Sequence, residues 1–146
     1  MKVTARVLHL GVPNGNGHLY DEETLCAALR THAGKPLIGQ FGMPSGPAIN
    51  LDHASHVATN LRVENGYLVA DIEPLGTKDG HELRQWLERC PEGRVPFAGI
   101  DGISFRTAGA GRTDLVDITV VGQPTLVVTF VTDFVLYSIN AVTNGA

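Results

Sequence analysis

The sequence predicts an α+β fold: a mostly antiparallel sheet or barrel of about seven or eight strands with two packed helices, in one domain spanning residues 1–146. Three observations predict it. Seventeen glycines and eight prolines punctuate short apolar runs, the habit of a strand-rich chain. Glu64-Asn65-Gly66 stands between two alternating apolar runs, and Asn-Gly in that setting is the strongest local hairpin signal. Two stretches, after Asp21 and after Thr77, carry apolar residues at helical spacing behind a capping side chain. At 146 residues the chain can bury one real core and is too short for two ordinary domains.

Taken in order, Val3–Leu10 is β-branched and partly alternating, so it reads as a first strand. The Asn-Gly-Asn-Gly-His segment that follows lacks both the G-x-G-x-x-G spacing and the Lys-Ser/Thr pair of phosphate loops, and reads as a turn. Asp21 caps a helix expected to run through His32, with Glu22 and Glu23 at its positive end and Leu25, Ala28, Leu29 and His32 on one face; Gly34 ends it. Lys35–Gln40 is a short strand and Phe41–Pro47 a loop. Ser55–Val63 and Tyr67–Leu75 form the hairpin. Thr77 caps a second helix to about Arg89, in which Leu83, Trp86, Leu87 and Cys90 form a core stripe. Pro91–Pro96 reads as a polar loop and Ile100–Thr107 as a strand. Gly109–Arg112 is expected to turn the chain. Three further apolar strands, Leu115–Val121, Thr125–Thr132 and Phe134–Ile139, are expected to break at Gly122-Gln123-Pro124 and around Asp133. The second is apolar on both sides, so both its faces require cover, inside the domain or against another subunit.

Composition excludes several functions. The net charge is −4 and the pI about 5.8, and no run of Lys or Arg exceeds one residue, so no footprint for a phosphate backbone exists and nucleic acid is not an expected partner. No window reaches a membrane span, and the apolar stretch near Met1 is too short and too interrupted for a signal core, so a soluble intracellular product is expected. Cys26 and Cys90, both placed within helices, fit neither a zinc motif nor a disulfide framework. His53 and His56 have a spacing that sends strand side chains to opposite faces, and no third ligand accompanies them, so no metal and no cofactor is expected. His9, His18, His32 and His81 read as surface or helix-face residues.

The chemistry turns on Gly102-Ile103-Ser104-Phe105-Arg106. A strand serine becomes a nucleophile only when an imidazole can take its proton and donors can hold the oxyanion. Several stretches bear on this. Asn14–Tyr20 is similar to an N-x-N-G-R-x-Y segment, with His18 where Arg is usual, and Lys35–Pro44 to P-L-x-G-E-x-x-H-P. Ile49–Leu75 is similar to a V-S-H-V hairpin, matching at Ser55, His56 and Val57, and is followed by a T-x-x-G helix start at Thr77 and Gly80. Gly102–Arg106 is similar to a G-x-S-S-R-G strand and Tyr137–Thr143 to a closing I-D-V-V-T-x-P. In this order and spacing the chain resembles the bacteriophage prohead maturation proteases, serine proteases whose fold is related to the herpesvirus assembly protease.

The resemblance implies acyl transfer by a serine, a histidine and oxyanion donors. Carried over, Ser104 matches the nucleophile region and Arg106 the neighbouring arginine, but the histidine of H-P falls on Met43, the second serine on Phe105 and the final glycine on Thr107. A thioether cannot accept a hydroxyl proton near neutral pH, a loss on the order of 10² to 10⁴ in rate. Three readings follow. The first, drawn from Met43, Phe105, the lack of a long tail after Ala146 and the strands apolar on both faces, is a non-catalytic virion protein. It would be a capsid decoration or cement subunit, made in the host cytoplasm and bound to the major capsid protein and to copies of itself. The second is an active maturation endopeptidase cleaving scaffold and capsid proteins, with Ser104 as nucleophile, His56 as base, Asp52 or Asp101 orienting it, and Arg106 in support. A chance resemblance, leaving an unassigned soluble α+β domain, is the third.

Overall fold

A computed structural model describes residues 1–32, 34–118 and 126–143. Among the described residues eight strands form two sheets. In the first, β3 (Leu37–Gln40), β4 (Ala54–Glu64), β5 (Tyr67–Pro74), β1 (Val3–His9) and β6 (Arg94–Val95) lie side by side in that order, antiparallel except for the β1–β6 edge. In the second, β2 (His18–Leu19) runs parallel to β8 (Leu126–Thr143), and β8 pairs antiparallel with β7 (Ile103–Ile118). A parallel bridge from Phe41 to Ala141 joins the sheets where β3 ends. The inward residues of both meet in one core, Val3, Ala5 and Val7 with Leu68, Ala70, Ile72, Ile103, Phe105, Leu136 and Ile139.

The expected hairpin has its turn at Asn65 (φ 52°) and Gly66 (φ 82°), two positive values in sequence, which match the right-handed twist of the flanking strands. Asp21 caps α1 (Glu22–Arg30) by accepting from the Thr24 amide at 2.7 Å. Leu25 and Ala28 are buried, and His32, just past the helix, donates from Nε2 to the Leu136 carbonyl at 2.8 Å. The helix stops two residues before His32 because the Thr31 hydroxyl bonds back to the Ala28 carbonyl and tightens the end.

The start of α2 (Lys78–Leu87) is fastened twice by one side chain. Thr77 Oγ1 accepts from the Gly80 amide at 3.0 Å and donates to the Ala54 carbonyl at 2.6 Å, so cap and docking onto β4 share a hydroxyl. Gly80 is needed there, since a Cβ would collide with the Leu75 carbonyl. Leu83 and Leu87 are buried and Trp86 half-buried with Arg89 over its ring. Cys90 lies beyond the helix, not within it.

Other expectations are corrected. Gly109–Arg112 does not turn the chain; β7 runs straight through it. The glycine serves close approach, because a Cβ at Gly109 would meet the Val135 carbonyl and the Phe134 ring, and register shifts on either side absorb the misfit as bulges. Nor does β8 break at Asp133, which adopts φ 50° opposite one of those bulges while pairing resumes beyond it, so Phe134–Ile139 is not a separate strand. Gly122-Gln123-Pro124 lies outside the described residues. The Pro91–Pro96 loop contains a 3₁₀ turn and β6, too short to show periodicity. No helix among the described residues is long and apolar enough to cross a membrane.

Replacing Thr77 by Ala removes both bonds at the α2 start and is expected to lower unfolding free energy by about 1–2 kcal/mol, with Thr77→Ser close to the parent. Urea denaturation of the three proteins checks it.

Candidate functional site

His56 sits on β4 directly opposite Gly39 of β3. With only a hydrogen there, the imidazole can lie across β3 and reach β8; a Cβ on Gly39 would strike both the Ile139 carbonyl and His56 Nε2. Nε2 is 2.8 Å from the Ile139 carbonyl, a pure acceptor, so Nε2 carries the proton. Nδ1 then accepts from the Ser55 hydroxyl at 2.7 Å. Both residues are fully buried, and the Phe105 ring meets the imidazole edge-on at 5.3 Å. Burial lowers the His56 pKa to about 4, against an opposing push from the Ile139 carbonyl. The ring is therefore neutral at pH 7, with both nitrogens committed.

Ser104 is fully buried on β7, opposite Val142. Strand alternation sets it on the face of β7 away from Ile103 and Phe105, whereas the His56 ring lies against Phe105. Arg106 donates to the Phe105 carbonyl and to the Phe97 carbonyl, each at 2.8 Å, and lies 4.1 Å over the Phe97 ring; burial lowers its pKa. Its guanidinium thus ties the segment before β7 to the strand. Asp52 lies in a 3₁₀ turn, Leu51–His53, and Asp101 in the tight turn before Gly102; both are exposed, and neither is a partner of an imidazole whose nitrogens are already taken. His53 belongs to that 3₁₀ turn and not to the strand, and pairs with Asp79 at 3.1 Å. Its spacing to His56 is therefore not a strand spacing. Among the described residues no three His, Cys, Asp or Glu gather as a metal site.

Met43 is 49% exposed in the loop after β3. It borders a groove of about 350 Å³ with Tyr20, Pro44, Thr107, Phe134 and Tyr137. The β7 residues that line it are Thr107, Ala108 and Gly109 and not Ser104, and among the described residues no imidazole or carboxylate lines the groove. Tyr20, raised in pKa by burial, and Ser45 contribute hydroxyls there without a base.

Sequence reasoning missed the polar floor of this region. Gln40 and Asn140 are buried; the Gln40 amide donates to Asn140 Oδ1 at 3.2 Å, Asn140 Nδ2 to Ser138 Oγ at 2.9 Å, and the Asn50 amide to Gln40 Oε1 at 2.8 Å. The available signal was polar Ser138 and Asn140 alternating with apolar Tyr137, Ile139 and Ala141 in a strand. The Asn14–Tyr20 segment is a self-bonded turn, in which Asn14 Oδ1 accepts from the Asn16 and His18 amides and delivers β2 to β8.

The fold is similar to that of the bacteriophage T4 capsid assembly protease, gp21, with a TM-score of 0.63 and 15% identity, over 97% of this chain and 80% of that one. The likeness establishes a prohead-protease-like α+β fold. No family model and no curated protein matches the sequence.

Two outcomes are expected here. Gly39→Ala should cost about 1–3 kcal/mol by driving the imidazole off the Ile139 carbonyl, while Gly46→Ala, with open space around it, stays within about 0.5 kcal/mol. Below pH 6.5 the unfolded imidazole binds a proton that the folded one refuses until about 4, so stability is complete above pH 6.5 and falls as pH drops through that window, by on the order of 3 kcal/mol at its lower end. Chemical denaturation of the parent and of His56→Gln at pH 7.5, 5.5 and 4.5 checks it; the variant should be weaker at pH 7.5 and flatter below.

Proposed function

We propose that this chain is a non-catalytic phage capsid-associated protein, a decoration or cement subunit carried on a capsid-protease fold. The observation that supports it is the commitment of His56. A general base needs a free lone pair within reach of the nucleophile, and here Nδ1 is held by Ser55 and Nε2–H by Ile139, with the ring sealed from solvent. The position that the resemblance assigns to the catalytic histidine is Met43. A subunit that coats a shell needs a rigid body and a complementary surface, and losing the base costs it nothing. Its partners would be the major capsid protein and further copies of itself, and its place the virion.

A second reading, a maturation serine endopeptidase, draws on the likeness to a capsid assembly protease and on the survival of Ser104 beside Arg106. It would use Ser104 to attack the scissile carbonyl and His56 to take the proton. For that His56 would have to leave the Ile139 carbonyl and turn toward the other face of β7.

Purified mature particles separate the two. Decoration expects full-length chain at hundreds of copies per particle, by quantitative mass spectrometry, and no labelling of Ser104 by a serine-directed phosphonate. Absence from mature particles with presence in immature heads, together with labelling lost in Ser104→Ala, would establish the protease and overturn the decoration reading.

A further inference from the structure

We propose that the arginine-lined cavity on the outer face of the five-stranded sheet is a docking site for an extended acidic segment of a partner protein. The cavity, about 580 Å³, is bordered by Thr4, Arg6, Arg62, Glu64, Arg94 and Pro96. Its three guanidiniums come from three strands. Thr4 is opposite Arg94, and Arg6 and Arg62 are both opposite Val69 from either side, so the register gathers them on one face.

Three of the chain's 11 basic residues stand together in a protein with 15 acidic ones. Like charges on neighbouring strands repel, so such a group needs neutralising partners. The resident carboxylates serve only one arginine: Arg62 pairs with Asp71 at 3.2 Å and Glu64 at 3.5 Å, and donates to the Asn60 carbonyl. Arg6 rests on the Tyr67 ring at 4.5 Å, which positions the cation without cancelling it. Among the described residues neither Arg6 nor Arg94 has a carboxylate within ion-pair distance, and both are exposed. With a net charge of −4 the chain as a whole repels an acidic ligand, and this cavity is where one can be admitted.

The spacing selects an extended chain over a single small anion. Arg94 on β6 and Arg62 on β4 are separated by three strand spacings, about 14 Å across the sheet, and by two residues of register along it, whereas alternate side chains of an extended peptide recur about every 6.6 Å. Acidic residues at alternate positions therefore span the row, which one phosphate does not. β6 is an edge strand two residues long, so the cavity is open on the side from which a segment would enter.

The test is calorimetric titration of the whole protein with the capped peptide Glu-Ala-Glu-Ala-Glu, with Gln-Ala-Gln-Ala-Gln and with inorganic phosphate. The acidic peptide should bind one to one, about tenfold more weakly to Arg6→Gln/Arg94→Gln, unchanged to Arg84→Gln/Arg89→Gln on the α2 side, and not at all in about 0.5 M sodium chloride. Thermal melts matching the parent show that the exposed substitutions leave the fold intact. No binding, equal binding of the glutamine peptide, an unaffected Arg6/Arg94 variant, or displacement by equimolar phosphate would each overturn the proposal, the last assigning the cavity to phosphate.

Discussion

The bond from His56 Nε2 to the Ile139 carbonyl joins the two sheets at a fully buried point, and much of the surrounding sequence answers to it. An imidazole withdrawn from water must have both nitrogens satisfied, or the fold bears the full cost of a buried unpaired polar group. Ile139 satisfies one and Ser55 the other. The ring can make this reach only over a residue without a side chain, which fixes Gly39, and its flank is closed by Phe105. Five residues on four strands are thereby held to one another.

That arrangement sets a limit on chemistry. The properties that make a good cross-sheet tie, a neutral ring, saturated hydrogen bonding and no solvent, are the reverse of what a general base requires. Phe105 makes the contrast concrete. Where the resembling motif has a second serine, an aromatic ring fills the space against the imidazole and adds to the core, while Ser104 is turned to the other face of the strand. Arg106, likewise, uses its donors on two backbone carbonyls. His56 and Arg106 both spend polar atoms on backbone carbonyls, and His56 also on a neighbouring hydroxyl.

Legibility in the sequence followed the range of the interaction. Asp21, Thr77 and Asn65-Gly66 act on residues within a few positions, and the caps and the hairpin they announce are all present. The punctuated apolar runs, the Asn-Gly hairpin and the two capped helical stretches conveyed the α+β class. What failed were inferences from glycine and charge in the second half: Gly109–Arg112 and Asp133 signal turns locally, yet the partner strand holds both segments extended and takes up the mismatch in bulges. The site was hardest to read, since pairing His56 with Ile139 and Gln40 with Asn140 depends on contacts between distant parts of the chain. H-x-x-H carried a strand spacing only if His53 were on the strand, and the 3₁₀ turn at Leu51–His53 removes it.

The parallel pairing of β2 with β8, and of Phe41 with Ala141, has a consequence for how the molecule comes into being. The early segments cannot complete their ladders until a strand from the far end of the described chain has been synthesised, and the buried face of α1 waits for the same strand. The hairpin of β4 and β5 can form as soon as it leaves the ribosome, whereas closure of the second sheet is a late, non-local event that carries most of the loop-closure entropy. A nascent chain halted before β8 therefore presents Leu25, Ala28 and the floor of β3 to the cell uncovered, which makes that interval the period of greatest exposure to chaperones and to aggregation.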